Sequence, residues 1–477
     1  MASFGHAFYN LYLHPLRHFP GPRLYASSRL PYAVGLCRGT INKTVAEAHK
    51  KYGEVVRIAP DELSFISADT AWSDIYGFRG AKRPEFGKDP LWYPTQPNGV
   101  RSLLSSTRED HSRIRRVFSQ GFSDKALRNQ ESLIRGYIDK LMARLLEKRN
   151  TPVDLVRYFN YTTFDIIADL TFGESFGCLD SDDYHDFIPA ILGALRVVNI
   201  LQAINYYRTI NKIASVFLAL LSKISTPVHI LFHNFVAGKV DKRLAMEMQR
   251  PDFITAVMNQ TEEKGGLTEE ELKSNSVLFL IAGSETTATM MSGTTFALLK
   301  HPEAMKKLCY EIRTVFHSEE EITFESASHL PYLQAVIHEG LRMYPPVPTG
   351  FARRVPKNGE TVSGYYLPEN TSVYVSQYAA YHDTRNFTNP DQFIPERWLD
   401  DPKYGSDKKS VFMPFSNGPR NCMGKNLAYA EMRCILARIF FKFDMELVDE
   451  NVDWFDQKVF QLWEKEPLMV KLSDASK

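Results

Sequence analysis

Cysteine is scarce in this chain: Cys37, Cys178, Cys309, Cys422 and Cys434 are the only five among 477 residues. They are scattered, odd in number and form no C-x-x-C pair. That excludes a disulfide framework and a zinc pattern and suits a reducing compartment. No run of 18 apolar residues exists, so no transmembrane helix can be drawn. Met1 to Leu13 is too polar and broken for a signal peptide. Neither sign of charge prevails, with 57 basic against 56 acidic residues and a net charge of +1. Nothing in that balance calls for nucleic acid. There is no Gly/Ser tract, Pro-rich spacer, internal repeat or long block of like charge. No flavin or nicotinamide fingerprint occurs, so a redox reaction here draws its electrons from outside the chain.

Length alone would accommodate about three domains at ~150 residues each. Without a linker, residues 23–477 read as one large unit. Residues 1–22 read as a hinge segment without a membrane anchor, closed by the stiff turn Pro20-Gly21-Pro22. Strand-like pieces such as Val55–Ile58 and Leu63–Ile66 come first, among Gly/Pro breaks. Helical periodicity then dominates from about 107 to about 330. A second strand-like patch follows, with Pro356, Gly359, Gly364 and Pro368 as turn residues. The expected fold class is mainly α with small β-sheets.

The most specific run is Phe415-Ser416-Asn417-Gly418-Pro419-Arg420-Asn421-Cys422-Met423-Gly424, followed at once by a helix-like stretch, Lys425 to Phe441. A helix N-terminus supplies partial positive charge and free N–H groups, both of which favour a thiolate. The glycines let the backbone approach something flat and bulky. Arg420 offers a fork of donors to carboxylates, and Phe415 can shield the sulfur from water.

A long helix is expected from the N-cap Thr268, with Glu271 completing a capping box, to Lys300 before Pro302. At 1.5 Å per residue it runs roughly 48 Å. Its middle, Ala282-Gly283-Ser284-Glu285-Thr286-Thr287, is poorly chosen for stability, since Gly costs about 1 kcal/mol relative to Ala. Small residues on one face leave room for a flat ligand, or they permit a close helix–helix contact. Glu339 and Arg342 lie three apart on an amphipathic helix with apolar neighbours. Such a pair is either solvated or buried and fully paired. Between Asp186 and Asp241 there is no acidic residue, while Arg196, Arg208, Lys212, Lys223 and Lys239 stand among apolar residues. This segment suits either an anionic membrane face or two core-packed helices with basic outer faces.

The Phe415–Gly424 run resembles the haem-thiolate loop of cytochromes P450, Phe-x-x-Gly-x-Arg-x-Cys-x-Gly, at every fixed position. Ala282–Thr287 is similar to the oxygen-activation motif of that family. Pro395-Glu396-Arg397-Trp398 looks like its Pro-Glu-Arg-Phe segment, with Trp in the last place. These features fall in the family's order, and the resemblance covers nearly the full chain. Tyr12-Leu13-His14-Pro15-Leu16 and Phe412-Met413-Pro414-Phe415-Ser416 are similar to eukaryotic, microsomal-type members of fungal secondary metabolism.

The resemblance implies a P450 fold with a long central helix over haem b, held non-covalently because C-x-x-C-H is absent. It implies Cys422 as the iron ligand, with Phe415, Arg420 and Gly424 around the cofactor. Thr286 would bond to the oxygen under activation, Glu285 would relay protons from solvent, and Gly283 would leave space for dioxygen. Glu339, Arg342 and Arg397 would form a structural triad. His111 and Arg115 match a Trp-x-x-x-Arg pair that grips the haem propionates, with His in place of Trp. Arg354 is a further propionate candidate, and for His111 and Arg354 a solvated charge remains the alternative.

The implied activity is a monooxygenase that takes one atom of O2 and electrons from NADPH, through NADPH–cytochrome P450 reductase, with cytochrome b5 as a second donor. Lys408, Lys409, Lys425 and Arg433 would contribute to the docking face. The substrate would be a lipophilic small molecule, met by residues in about 90–110, 186–240 and 347–352. The protein would be a monomer on the cytosolic side of the endoplasmic reticulum membrane, with residues 186–240 dipping into the bilayer. Two rivals are a P450-fold isomerase or dehydratase needing neither oxygen nor reductase, and a haem-binding sensor or carrier. Gly283 and Thr286 argue against the first.

Overall fold

The computed structural model describes residues 2–475 except 69, 81–82, 94–95, 186, 208–210, 213–227, 247–249 and 259–264. Most described residues are helical, and the strands form small sheets. The larger apolar core is helical and surrounds the central helix, Glu269–Lys300. A smaller core lies under the main sheet and takes in Leu16 and Phe19, so the expected hinge segment is partly anchored by packing.

The central helix begins as its sequence dictates. Thr268 Oγ1 accepts from the Glu271 backbone N–H, and Glu271 Oε2 accepts from the Thr268 N–H. Its middle packs on the Leu155–Phe172 helix, nearly all of which is buried. Gly283 belongs to that contact. A Cβ there would meet Ile167 Cδ1 at 2.6 Å. A side chain at this position would therefore collide with the packed helix, although Gly283 also keeps some accessible surface. Ten residues on, a Cβ at Gly293 would meet Tyr344 Cδ1 at 2.5 Å.

The main sheet has the strand order Val55–Ala59, Glu62–Phe65, Ser372–Val375, Arg353–Arg354, Gly87–Lys88. Only the contact between Glu62–Phe65 and Ser372–Val375 is parallel. At the far edge Lys88 pairs directly with Arg353, and Gly87 with Arg354. Side chains alternate along a strand, and directly opposed residues share a face. Lys88 and Arg353 therefore project to one side, and Arg354 to the other.

The helix Pro331–Met343 carries Glu339 and Arg342, and both are fully buried. Glu339 Oε1 accepts from Arg342 Nη2 at 2.8 Å and from Arg397 Nε at 3.1 Å. It also accepts from the Ile394 backbone N–H at 2.9 Å, while Trp398 Nε1 donates to Oε2 at 2.9 Å. Arg342 spends its other donors on the carbonyls of Tyr381, Pro390 and Gln392. Arg397 adds Asp407 and the Thr388 carbonyl. The pair is thus buried rather than solvated, and full pairing is what makes that tolerable.

Burial by itself would raise the Glu339 pKa, but Arg342, Arg397 and the Ile394 N–H outweigh it and hold the carboxyl below its usual range. A depressed carboxylate contributes stability that is present above its unfolded pKa, about 4.5, and lost as pH falls through the folded value. Replacing Arg397 by Leu should cost about 3–5 kcal/mol in urea denaturation at neutral pH, because it strands buried carboxylates. A loss under 1 kcal/mol would show that the network is not a stability element.

Candidate active site

Cys422 lies in the loop ahead of the Lys425–Lys442 helix, whose N-cap is Gly424. The loop closes on itself: the Cys422 N–H donates to the Phe415 carbonyl at 2.8 Å. Gly418 adopts φ +74°, a left-handed backbone that suits glycine, and packs against the Tyr76 carbonyl. The Phe415 ring lies 5.0 Å from that of Tyr429. Cys422 is deep in the molecule yet keeps accessible surface, unlike the buried Cys178 and Cys434. Burial pushes the free thiol up, while the Gly424 N–H, Arg115 and Lys425 pull it back toward the thiolate. A bound cation is what would complete that shift.

The central helix has a matching feature. Between Leu272 and Leu298 only Leu278, Ile281, Ala282, Gly283 and Thr286 keep accessible surface. Leu278, Ala282 and Thr286 recur at i, i+4, so they form one stripe on one face. Thr286 Oγ1 donates to the Ala282 carbonyl at 2.7 Å, which leaves the hydroxyl oxygen free to accept. Glu285 is buried, not open to solvent, and Lys465 Nζ donates to its Oε2 at 2.5 Å. Lys465 also donates to Thr289 Oγ1 at 3.0 Å. Glu285 Oε1 has no hydrogen-bond partner among the described residues.

Beside the loop, cations gather with too little negative charge. Arg420 Nε donates to Glu85 Oε1 at 2.7 Å, and its Nη1 to the Ser106 carbonyl. Arg353 lies 3.7 Å from the same Glu85 oxygen, and its Nε is buried without a partner among the described residues. Lys88 Nζ sits 4.2 Å over the Tyr93 ring. Arg115 donates to the Asn421 carbonyl and to Asn421 Oδ1, each at 2.7 Å. Burial and the neighbouring Arg353 and Arg420 hold Lys88 far below its usual range, with Glu85 opposing them. Burial, then Arg420, Arg115, Lys88 and Arg353, lower His111 to about 3. A single carboxylate facing this many buried and half-buried cations leaves a site suited to further anions.

The structure thus brings His111, Arg115, Arg420, Gly424 and Phe415 around Cys422, but not Arg354. Arg354 Nε pairs with Asp89 at 3.0 Å and its Nη1 with Asp61 at 3.1 Å. Strand alternation turns Arg354 away from the cation cluster and Arg353 toward it. Lys88, on a two-residue strand, was missed, and only the pairing with Arg353 reveals it.

The cytochrome P450 family model matches residues 27–472. This chain belongs to the cytochrome P450 family. It is 44% identical to the cytochrome P450 monooxygenase lcsI of Purpureocillium lilacinum over 98% of this chain and 91% of that protein. It is 45% identical to the cytochrome P450 monooxygenase traB of Penicillium crustosum over 97% and 93%. Averantin hydroxylase of Dothistroma septosporum is 43% identical over 98% and 88%. Haem is the family's cofactor, and this P450's residues fit it: an accessible thiol at Cys422, a cation cluster suited to two propionates, and an uncovered stripe on the central helix. Arg353→Leu should lower the haem content of the purified protein, read as the Soret-to-protein absorbance ratio, whereas Arg354→Leu should keep it. Equal haem content in the two variants would refute the assignment.

Proposed function

We propose that the protein is a haem-thiolate monooxygenase that inserts one atom of O2 into a lipophilic small molecule of fungal secondary metabolism. The observation that carries this reading is Cys422, which keeps accessible surface next to a cluster of cations that share one carboxylate, Glu85. Cys422 would hold the iron, and Lys88, Arg353, Arg420, Arg115 and His111 would hold the propionates. When bound, haem supplies oxygen activation and C–H oxidation.

The chain's own residues bind, shield and position. The Gly424 N–H stabilises the sulfur as an anion. Phe415 keeps water from it. Leu278, Ala282 and Thr286 would line the space where substrate and dioxygen meet. Thr286, anchored to the Ala282 carbonyl, would present its hydroxyl oxygen there as an acceptor, and could donate only by turning from that carbonyl. Glu285, held by Lys465, would serve proton delivery only after that ion pair loosens. The name averantin hydroxylase of one relative supports hydroxylation as the outcome.

Electrons would come from NADPH through NADPH–cytochrome P450 reductase, with cytochrome b5 as a second donor. Lys425 is exposed, and Lys408 and Lys409 are half-buried. Arg433 offers less to a partner, since its Nε donates to Gln334 Oε1 at 2.7 Å. No helix among the described residues is long and apolar enough to cross a membrane. Exposed Phe4, Phe8, Tyr12, Leu13, Leu24 and Leu30 nevertheless support contact with a membrane surface, which would be that of the endoplasmic reticulum.

The Phe187–Asn205 helix packs on the Leu30–Arg38 helix and exposes Val197 and Ile200. Arg196 pairs with Glu464, and Lys239 with Glu174, so the basic residues of this segment partly serve the fold. Asp186, Arg208 and Lys223 lie outside the described residues.

The reduced protein with carbon monoxide should show the Soret band typical of thiolate ligation, and Cys422→Ala should abolish it. A band typical of histidine ligation overturns the reading. Thr286→Ala should keep that band but lower product formed per NADPH consumed by about tenfold, the scale of one positioned proton-transfer group. Unchanged coupling would remove Thr286 from proton delivery.

A further inference from the structure

Two buried carboxylates of the core are held in opposite ways. Glu339 accepts from Arg342, Arg397, Trp398 and the Ile394 N–H. Among the described residues Glu285 accepts from Lys465 alone: Nζ donates to Oε2 at 2.5 Å, and Oε1 is buried without a partner. The Glu285 and Lys465 side chains are 2% and 4% exposed. One ammonium group thus balances this buried charge, and removing it leaves nothing in its place.

Lys465 also sets the direction of Glu285. Its Nζ donates to Thr289 Oγ1 at 3.0 Å as well. Thr289 lies four residues beyond Glu285, so the two share a face of the central helix. Thr286 follows Glu285 by one residue and is turned about 100° from it. The clamp therefore draws the carboxylate toward Thr289 and off the stripe of Ala282 and Thr286. The segment that presents Lys465 is itself braced. Val459–Phe460 and Leu462–Trp463 pair as a hairpin, and Trp463 Nε1 donates to the Pro345 carbonyl at 2.7 Å. The Trp463 ring stacks on Tyr344 with 4.4 Å between centroids, and Gln461 Nε2 donates to Gln202 Oε1 at 2.7 Å. Beyond Lys465, the Leu468 N–H donates to Asp154 Oδ1 at 3.0 Å.

We propose that Lys465 is a positioning residue for the oxidation: it holds Glu285 as a carboxylate turned from Thr286, and so decides when Glu285 has a proton to give. This rests on the reading of Glu285 as a proton donor to the Thr286 face. In the ion pair Glu285 only accepts. To donate, it takes one proton from solvent on Oε2 in place of the Lys465 contact, releases that proton toward Thr286, and returns as a carboxylate to Lys465. Without the ammonium group, a carboxyl buried to this degree takes up a proton in the neutral range and keeps it. Tyr184 and Tyr344 also feel the charge of Glu285. Burial, then that charge, raises Tyr344 far above its ordinary value. Burial raises Tyr184, with Asn160 opposing and Glu285 adding to the rise. Both therefore stay neutral where the carboxyl titrates.

Two measurements on the holoenzyme test this. The first needs no turnover. The infrared spectrum of Lys465→Met minus that of Lys465→Met/Glu285→Gln, at neutral pH, should show the carbonyl stretch of one protonated carboxyl. Wild type minus Glu285→Gln should show none. The second is oxygen uptake by the pre-reduced protein with NADPH–cytochrome P450 reductase, followed against pH. The Lys465→Met rate should fall about tenfold per pH unit above an inflection in the neutral range. That inflection should be missing from the wild type and from the double variant. Where Lys465→Met loses the thiolate-type carbon monoxide band, Lys465→Gln, which keeps a donor without the charge, takes its place. Loss of the band in both variants overturns the proposal and leaves Lys465 a purely structural role. No carboxyl stretch overturns it with the monooxygenase reading intact. A carboxyl stretch with an unmoved pH profile overturns it by removing Glu285 from proton delivery. The carbon monoxide band of the wild type reports the haem-thiolate reading separately.

Discussion

A 32-residue helix through the core must be covered on all sides, and here the cover has one deliberate gap. Most of the fold can be understood as that cover. The Leu155–Phe172 helix closes on it at Gly283, and Tyr344 closes on it at Gly293. Lys465 seals the charge of Glu285 from the C-terminal hairpin. The uncovered stripe of Leu278, Ala282 and Thr286 survives because the surrounding elements stand off there, and interiors otherwise pack to the density of crystals.

Buried cations occur in this molecule in two conditions, and the difference separates scaffold from site. Arg342 and Arg397 are surrounded by acceptors: Glu339, Asp407 and a set of carbonyls. They cost little once made and much if broken, which suits a fixed frame. Arg353 and Arg420 share Glu85, Lys88 lies over the nearby Tyr93 ring, and Arg353 keeps a donor unused among the described residues. Such an imbalance is costly in an isolated protein and is relieved by an anionic ligand. Cys422 follows the same logic with opposite sign, since its surroundings stop short of stabilising the thiolate without a cation.

Local rules made part of this legible. The Thr268–Glu271 capping box and the Pro302 stop bound the central helix because caps and prolines act within a turn. The Cys422 loop was legible because its glycines, arginine and phenylalanine are close in sequence. Burial of Glu339 was left open, since an i, i+3 pair looks the same on a surface and in a core until Ile394, Arg397 and Trp398 arrive from a distant segment.

By itself the sequence determined the helical class, the bounds of its longest helix and the family. Each of these is written in neighbouring residues or in a short motif. Tertiary structure alone decided that Arg353 rather than Arg354 faces the cation cluster, that Lys88 joins it, that Glu285 is sealed by Lys465, and that Gly283 serves a helix contact. Those outcomes depend on strand register and on partners far apart in the chain, and a one-residue change of register reverses which side chain points inward.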